Sequence, residues 1–441
     1  MFELLNISSM GIEAGSLLML GMIIGLLILG LPLAFITALV AGFFLLFWIG
    51  PQASSLISTR VYAFVTSYAF VSVPMFVLMA AILDGSNISR DLFAAMKSFS
   101  GNIRGSVAIQ TIVLAVFLAA MSGIIGGETI LLGMIALPQM LKMGYDKKLA
   151  IGVVVSGGAL GTMVPPSIVL IIFGLTANVS ISDLFTASFL PALMLAGFYI
   201  AYVLIRGYLN PSMVPESVQE YVPWSEKIKS LKKVILPLLV AASVLGSIYM
   251  GIASVTESSA IGVLGITLSV YLRKELTWKL MVDSAYKTLE TCGTIIWIGI
   301  GATLLVGVFN LMGGIEFVKG VILAHGSGSP IYIIFLMMVI LFFLGMFLDW
   351  VGIVLLTIPI FMPIVIALGY DPVWFGVLFA LNMQIAFLSP PFGTGVFILK
   401  TVAPPDVSLG DIFKAVIPFI MLQALAIVVL IVFPEIALWW K

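Results

Sequence analysis

The sequence predicts an all-α polytopic membrane protein of two inverted-topology repeats, with about ten transmembrane helices, two re-entrant hairpins and discontinuous helices. Three observations predict it. Of 441 residues, 62% are hydrophobic and 9% charged, against about 25% charged in soluble domains. The chain also contains itself twice. Gly144-Tyr145-Asp146 recurs as Gly369-Tyr370-Asp371, and Pro165-Pro166 as Pro390-Pro391, at one common spacing that Met121/Met346 and Pro138/Pro363 share. After a three-residue shift, Val179-Ser180-Ile181-Ser182-Asp183-Leu184-Phe185 returns as Val407-Ser408-Leu409-Gly410-Asp411-Ile412-Phe413. Third, the basic residues sort to one side of the membrane. A doubled, strongly apolar chain is the pattern of a secondary transporter.

Taken in order, residues 1–15 are acidic and lack the basic start of a cleavable signal peptide. Apolar runs then give ten full spans: 16–30, 33–49, 61–84, 149–175, 186–205, 234–250, 258–272, 290–312, 373–399 and 415–433. The first two are divided at Gly30-Leu31-Pro32. Two longer stretches, 105–141 and 328–367, are interrupted in the middle. Each is read as a hairpin that enters and leaves on one side. The alternative is a pair of full spans, which need about 20 residues each where these halves offer fewer. Short amphipathic helices over Ser89–Phe99 and Gly314–Ala324 precede the hairpins.

Placing the loop from Arg206 to Lys233 in the cytoplasm puts all but three of the 20 basic residues inside. Arg60, Lys319 and Lys441 are the external ones. Both termini are then periplasmic or extracellular, and the hairpins enter from opposite faces, so the second copy is upside down. The organisation that follows is a first repeat over 1–206, a cytoplasmic linker over 207–233 and a second repeat over 234–441.

Carboxylates at bilayer depth are costly and mark function. Nearly all sit in loops, at helix ends or in the tails; the exceptions, Glu128 and Asp349, lie at the tips of the two hairpins. Those tips read Met121-Ser122-Gly123-Ile124-Ile125-Gly126-Gly127-Glu128-Thr129 and Gly345-Met346-Phe347-Leu348-Asp349-Trp350. Each is followed by a span broken at Pro-Pro, where missing amide donors release carbonyls that must face protein, water or a cation. Two sodium sites are therefore expected. The first lies between the tip at Ser122 and Gly123 and the backbone of Gly161, Thr162 and Val164. The second joins Gly345 and Asp349 to Phe387, Ser389 and Thr394. Substrate is expected between them, near Glu128, Thr129, Ser156, Pro165, Asn382, Gln384 and Pro390, where half-helix N-termini favour an anion.

Other chemistries are poorly served. One cysteine, Cys292, excludes an internal disulfide, and the one histidine, His325, sits beside a turn-like Gly326-Ser327-Gly328-Ser329-Pro330. An intramembrane enzyme would need a nucleophile with a base, paired aspartates or a metal site; no catalytic residue and no transition-metal site is expected. Zero net charge argues against nucleic acid as a partner. Glu257, in Thr256-Glu257-Ser258-Ser259-Ala260, begins a helix, and capping or a partner contact suits it better than ion binding.

Ser122-Gly123…Gly126-Gly127-Glu128-Thr129, Gly158-Ala159-Leu160-Gly161…Pro165-Pro166-Ser167 and Thr256-Glu257-Ser258-Ser259-Ala260 resemble the large membrane subunit of TRAP (tripartite ATP-independent periplasmic) transporters. The resemblance spans essentially the whole chain. It implies an elevator-type ion-transporter-like fold in a bacterial inner membrane, with transport and scaffold domains each drawn from both repeats, sodium as coupling ion and no other cofactor. It also implies a small organic acid as substrate, a small four-helix membrane subunit and a periplasmic binding protein as partners, and membrane lipid around the chain. Some relatives carry a Ser- and Ala-rich first tip, where this chain has Ile124-Ile125-Gly126-Gly127-Glu128. The alternative within transport is a stand-alone sodium- or proton-coupled anion carrier with no binding protein.

Overall fold

The computed structural model describes residues 6–99, 104–123, 126–215, 223–325 and 329–441. Ile124 and Ile125 of the first tip, Gly326-Ser327-Gly328 and the side chain of His325 lie outside what is described.

The first half runs α1 (Gly11–Ile28), α2 (Leu33–Phe44), α3 (Ser54–Val65), α4 (Ser72–Gly85) and the short amphipathic α5 (Ile88–Phe99). A hairpin follows, α6 (Ser106–Ser122) and α7 (Gly127–Lys142), then a broken pair, α8 (Lys147–Ala159) and α9 (Ile168–Ala177), and α10 (Ile181–Leu209). The second half repeats the order with α11 (Trp224–Tyr249), α12 (Val255–Leu272), α13 (Trp278–Leu311) and the short α14 (Gly314–His325). Its hairpin is α15 (Pro330–Gly345) and α16 (Trp350–Ala367), its broken pair α17 (Pro372–Leu388) and α18 (Thr394–Val402), and α19 (Leu409–Val432) closes the chain. Seven of the described helices are long and apolar enough to cross a membrane singly; broken and shorter helices supply the rest.

The sequence repeats are repeats of helix-end chemistry. Gly144 and Gly369 have φ of 84° and 78° and end α7 and α16 in the same way. Gly144 N–H donates to the Leu141 carbonyl and Tyr145 N–H to that of Met140; Gly369 and Tyr370 do so to Ile366 and Val365. This is the Schellman arrangement, which needs a residue free to take positive φ. The aspartate two residues on caps the next helix: Asp146 accepts from Leu149 N at 3.0 Å, and Asp371 from Val373 N at 2.8 Å. Ser180 and Ser408 likewise cap α10 and α19. Gly144 has open space where a Cβ would lie, so Gly144→Ala is expected to cost about 1–2 kcal/mol through φ alone, read as a lowered melting temperature in detergent.

Packing shows the twofold relation between halves. α2 packs on α13 as its counterpart α12 packs on α4; α9 packs on α16 as α18 does on α7. The pairs α8/α19 and α17/α10, and α5/α11 and α14/α1, behave alike. Element i of one copy meeting element j of the other, and the reverse, is the signature of a twofold axis. Ion pairs between distant segments join residues that the charge reading puts on the same side. Lys287 pairs with Asp84 at 3.0 Å and Lys147 with Asp406 at 3.4 Å. Arg273 pairs with Asp91, and Lys441 with Asp371. Partial burial works to raise Asp371, but Lys441 and the N–H groups of Trp374 and Val373 hold it below the usual carboxylate range.

Three boundaries differ from the sequence reading. The span 61–84 is two helices, α3 and α4, parted by Ser67 in extended conformation. α13 is 34 residues long, about 50 Å at 1.5 Å per residue, and it carries Lys279 and Lys287 within the helix. The linker 207–233 is helical from Trp224, because Lys227, Lys229 and Lys232 are good helix formers. Glu257 forms a capping box with Ser254, which satisfies two orphan donors of α12.

Candidate functional site

The first break begins where α8 ends at Ala159. Leu160–Thr162 form one tight turn, Pro165 and Pro166 are joined by a cis peptide bond, and Ser167 caps α9. Ser167 Oγ donates to the Thr162 carbonyl at 2.5 Å, and Thr162 Oγ1 donates to the Ala159 carbonyl at 3.0 Å. The tip of the α6–α7 hairpin nests into this break. Gly123, with φ of 60°, accepts at its carbonyl from Ile168 N at 3.3 Å and rests on the Pro166 carbonyl.

Two glycines of α8 and its terminal turn make room for side chains of α7. A Cβ on Gly158 would overlap Thr129, and one on Gly161 would lie 2.5 Å from Glu128 Oε2 and 2.8 Å from Oε1. Glu128 is 2% exposed. Its Oε1 accepts from Ser122 Oγ, while Oε2 has no hydrogen-bond partner among the described residues. The hydroxyls of Thr129 and Ser156 are buried and unpartnered too. A carboxylate in that setting requires a cation or a proton.

The second break is built the same way but is more open. Pro390 and Pro391 share a cis peptide bond, Gly393 lies against the carbonyls of Leu388 and Ser389, and Gly395 against the Phe387 ring. Ser389 Oγ donates to the Ile385 carbonyl at 2.7 Å. Asp349 caps α16, with Oδ2 accepting from Val351 N at 3.1 Å. Gly345, Asp349, Phe387 and Thr394 surround a void of about 20 Å³, the size one small ion or water needs. Pro165 is buried, whereas Pro390 and Thr394 are exposed.

Three of the residues expected at the substrate make contacts within the protein. Glu128 belongs to the first tip–break contact, with Ser122 and Gly161. Gln384 turns into the bundle, where its Oε1 accepts from Gln423 Nε2 at 3.4 Å; that amide also reaches the Tyr199 hydroxyl at 2.9 Å. Asn382 turns to α15 and donates to the Met338 carbonyl at 2.8 Å. The physical reason is common to both: α17 is buried all round, so its polar residues bond to whichever helix they face, and Asn382 Oδ1 and Gln384 Nε2 are left without a partner among the described residues. The sequence reading does not place Asp84 beside the first tip. Its carboxylate abuts Gly127 at the N-terminus of α7 and pairs with Lys287 of α13, on the wall of a 410 Å³ cavity that also holds Lys279 and Asp283. Its place at the end of an apolar run made it read as a boundary residue.

Residues 20–436 match the model of the DctM component of tripartite ATP-independent periplasmic transporters. The chain belongs to this family. TRAP large permeases of known cargo align with it nearly end to end. It is 30% identical to the ectoine permease TeaC of Halomonas elongata, covering 96% of this chain and 98% of that one. It is 27% identical to the C4-dicarboxylate permease DctM of Vibrio cholerae, covering 95% of each, and 27% identical to that organism's sialic acid permease SiaM over 94% of this chain and 96% of the other. Among solved structures, the YdaH transporter of Alcanivorax borkumensis superposes with a TM-score of 0.63 at 14% identity, covering 88% of this chain and 90% of the other. MtrF of Neisseria gonorrhoeae gives 0.60 at 15% identity over 86% and 83%. These two likenesses are of fold. This TRAP large permease is accordingly a multi-pass membrane protein of a transporter fold.

Proposed function

We propose that this permease imports a small organic acid, drawn in by a sodium gradient, across a bacterial inner membrane. A periplasmic binding protein delivers the substrate, a small four-helix subunit completes the membrane complex, and both termini of this chain face the periplasm. α6–α10 and α15–α19 would form the moving transport domain, and α1–α5 with α11–α14 the scaffold against which it slides. The observation that carries the reading is the pairing of each glycine-bearing hairpin tip with a Pro-Pro break, the first around a buried carboxylate oxygen with no protein partner. Unwound backbone at such breaks is where transporters coordinate sodium.

In detail, the first sodium takes Glu128 together with carbonyls from Ser122, Gly123, Gly161, Thr162 and Val164. The second takes Asp349 and Thr394 with carbonyls from Gly345, Phe387 and Ser389. The substrate lies between, near Thr129, Ser156, Pro165 and Pro390. C4-dicarboxylates, ectoine and sialic acids, the cargoes named for the relatives, all bear a carboxylate, which half-helix N-termini at the breaks would receive.

Reconstitution in proteoliposomes with the neighbouring small subunit and binding protein tests the reading. Uptake should require all three components and an inward sodium gradient; uptake indifferent to sodium would remove the coupling. Asp349→Asn separates ligand from cap, since asparagine caps as well as aspartate. It should leave the melting temperature in place and raise the sodium needed for half-maximal uptake about tenfold, or about 1.4 kcal/mol. An unchanged sodium dependence would take Asp349 out of the second site.

A further inference from the structure

A second cavity, of 370 Å³, is lined by residues of α3, α9, α13 and α16, at the end that the charge reading places outside, and is within the range of about 300–1,000 Å³ usual for small-molecule sites. One wall is α3 with Arg60 and, past its end, Ser67; Thr303 of α13 faces it. The opposite wall comes from Thr176 and Asn178 at the end of α9 and Leu355 of α16. Arg60 is one of three basic residues on the external side by the charge reading. The other two are engaged, Lys441 with Asp371 and Lys319 with Glu316 at 3.8 Å. Among the described residues no carboxylate pairs with Arg60. Its stem runs past Gly307, where a Cβ would come within 3.4 Å of Cδ. The polar groups that line the cavity with Arg60 are hydroxyls and an amide, set among apolar side chains, and none of them brings a negative charge.

Leu355 and Pro359 of α16 line the cavity, so it borders the same helix that Asp349 caps. We propose that this cavity is an outer docking site for the carboxylate of the substrate: Arg60 receives the anion on the external side, before it reaches the central site. The proposal rests on the reading of the chain as an importer of organic acids. It adds a binding site that the tip–break pairs do not contain.

Arginine-specific labelling with phenylglyoxal, read at Arg60 by peptide mass spectrometry, tests it in the reconstituted three-component system. Succinate serves as the carboxylate probe. In phosphatidylcholine vesicles succinate should slow labelling of Arg60 about tenfold, as a charge-assisted hydrogen-bond pair would, with Arg90 labelling unchanged as the internal reference. Protection by added phosphatidylglycerol that succinate does not increase would assign the cavity to a lipid headgroup and overturn the proposal. Absence of protection in either vesicle would overturn it too. Arg60→Gln should raise the substrate concentration for half-maximal uptake about tenfold and leave the sodium dependence as it was. Uptake that ignores sodium would instead remove the coupling reading while leaving protection at Arg60 intact, so the two failures are separable.

Discussion

Glu128→Gln is expected to abolish most sodium-driven uptake while leaving the protein as stable as before, or more so. Glutamine keeps the size of the side chain, and its carbonyl can still accept from Ser122 Oγ, the contact Glu128 makes now. What it removes is a charge that is 2% exposed, held by one hydroxyl and lacking a protein partner for Oε2. A buried carboxylate so poorly paired opposes folding unless a cation or proton accompanies it. Neutralising it therefore relieves the empty protein and penalises the sodium-bound one. Charge pairs in dry surroundings couple by several kcal/mol, so a loss of about 100-fold in sodium affinity, or about 2.7 kcal/mol, is expected. Uptake at saturating substrate across a sodium series and the melting temperature with and without sodium check it. Retained uptake would take Glu128 out of the site; a large fall in melting temperature would make it structural.

Gly158→Val is expected to uncouple the first hairpin from its break. The backbone there is ordinary α-helix, so strain in φ plays no part. The obstacle is Thr129, whose Oγ1, Cα and Cβ occupy the space a Cβ would take. Thr129 is buried at the start of α7 and has nowhere to retreat, so the tip must lift away from Gly161 and carry Glu128 with it. Overpacking of this kind costs about 1–3 kcal/mol, and uptake should fall to the level of vesicles lacking the permease. Gly197→Val is the control: it too is a glycine within a helix, but with open space where a Cβ would lie, and it should transport normally. Equal uptake by both variants would mean that the contact between tip and break is dispensable.

The sequence is most informative where the chain breaks a rule. Paired prolines, tip glycines and the capping aspartates of Gly-Tyr-Asp announce their backbone geometry locally, so both hairpins and both broken helices can be read directly. The split between α3 and α4 cannot, because Val65-Thr66-Ser67-Tyr68 holds neither Gly nor Pro. The facing of Gln384 and Asn382 is hidden for another reason. On a helix buried from Val373 to Leu388, polarity no longer distinguishes a ligand-lined face from a packed one. Asp84 reaches the Gly127 tip through the tertiary arrangement of α4 and α7, which no local pattern encodes. Arg60 is visible as an exception to the charge rule, but the emptiness around it is not.

The central claim is that cations held between tips and breaks move with the substrate. Counting radioactive sodium and labelled substrate entering the same proteoliposomes tests it most directly. About two sodium ions should enter per substrate, one from each tip–break site, and Glu128→Gln should lower both fluxes together. Substrate entry at the full rate with no accompanying sodium would contradict it.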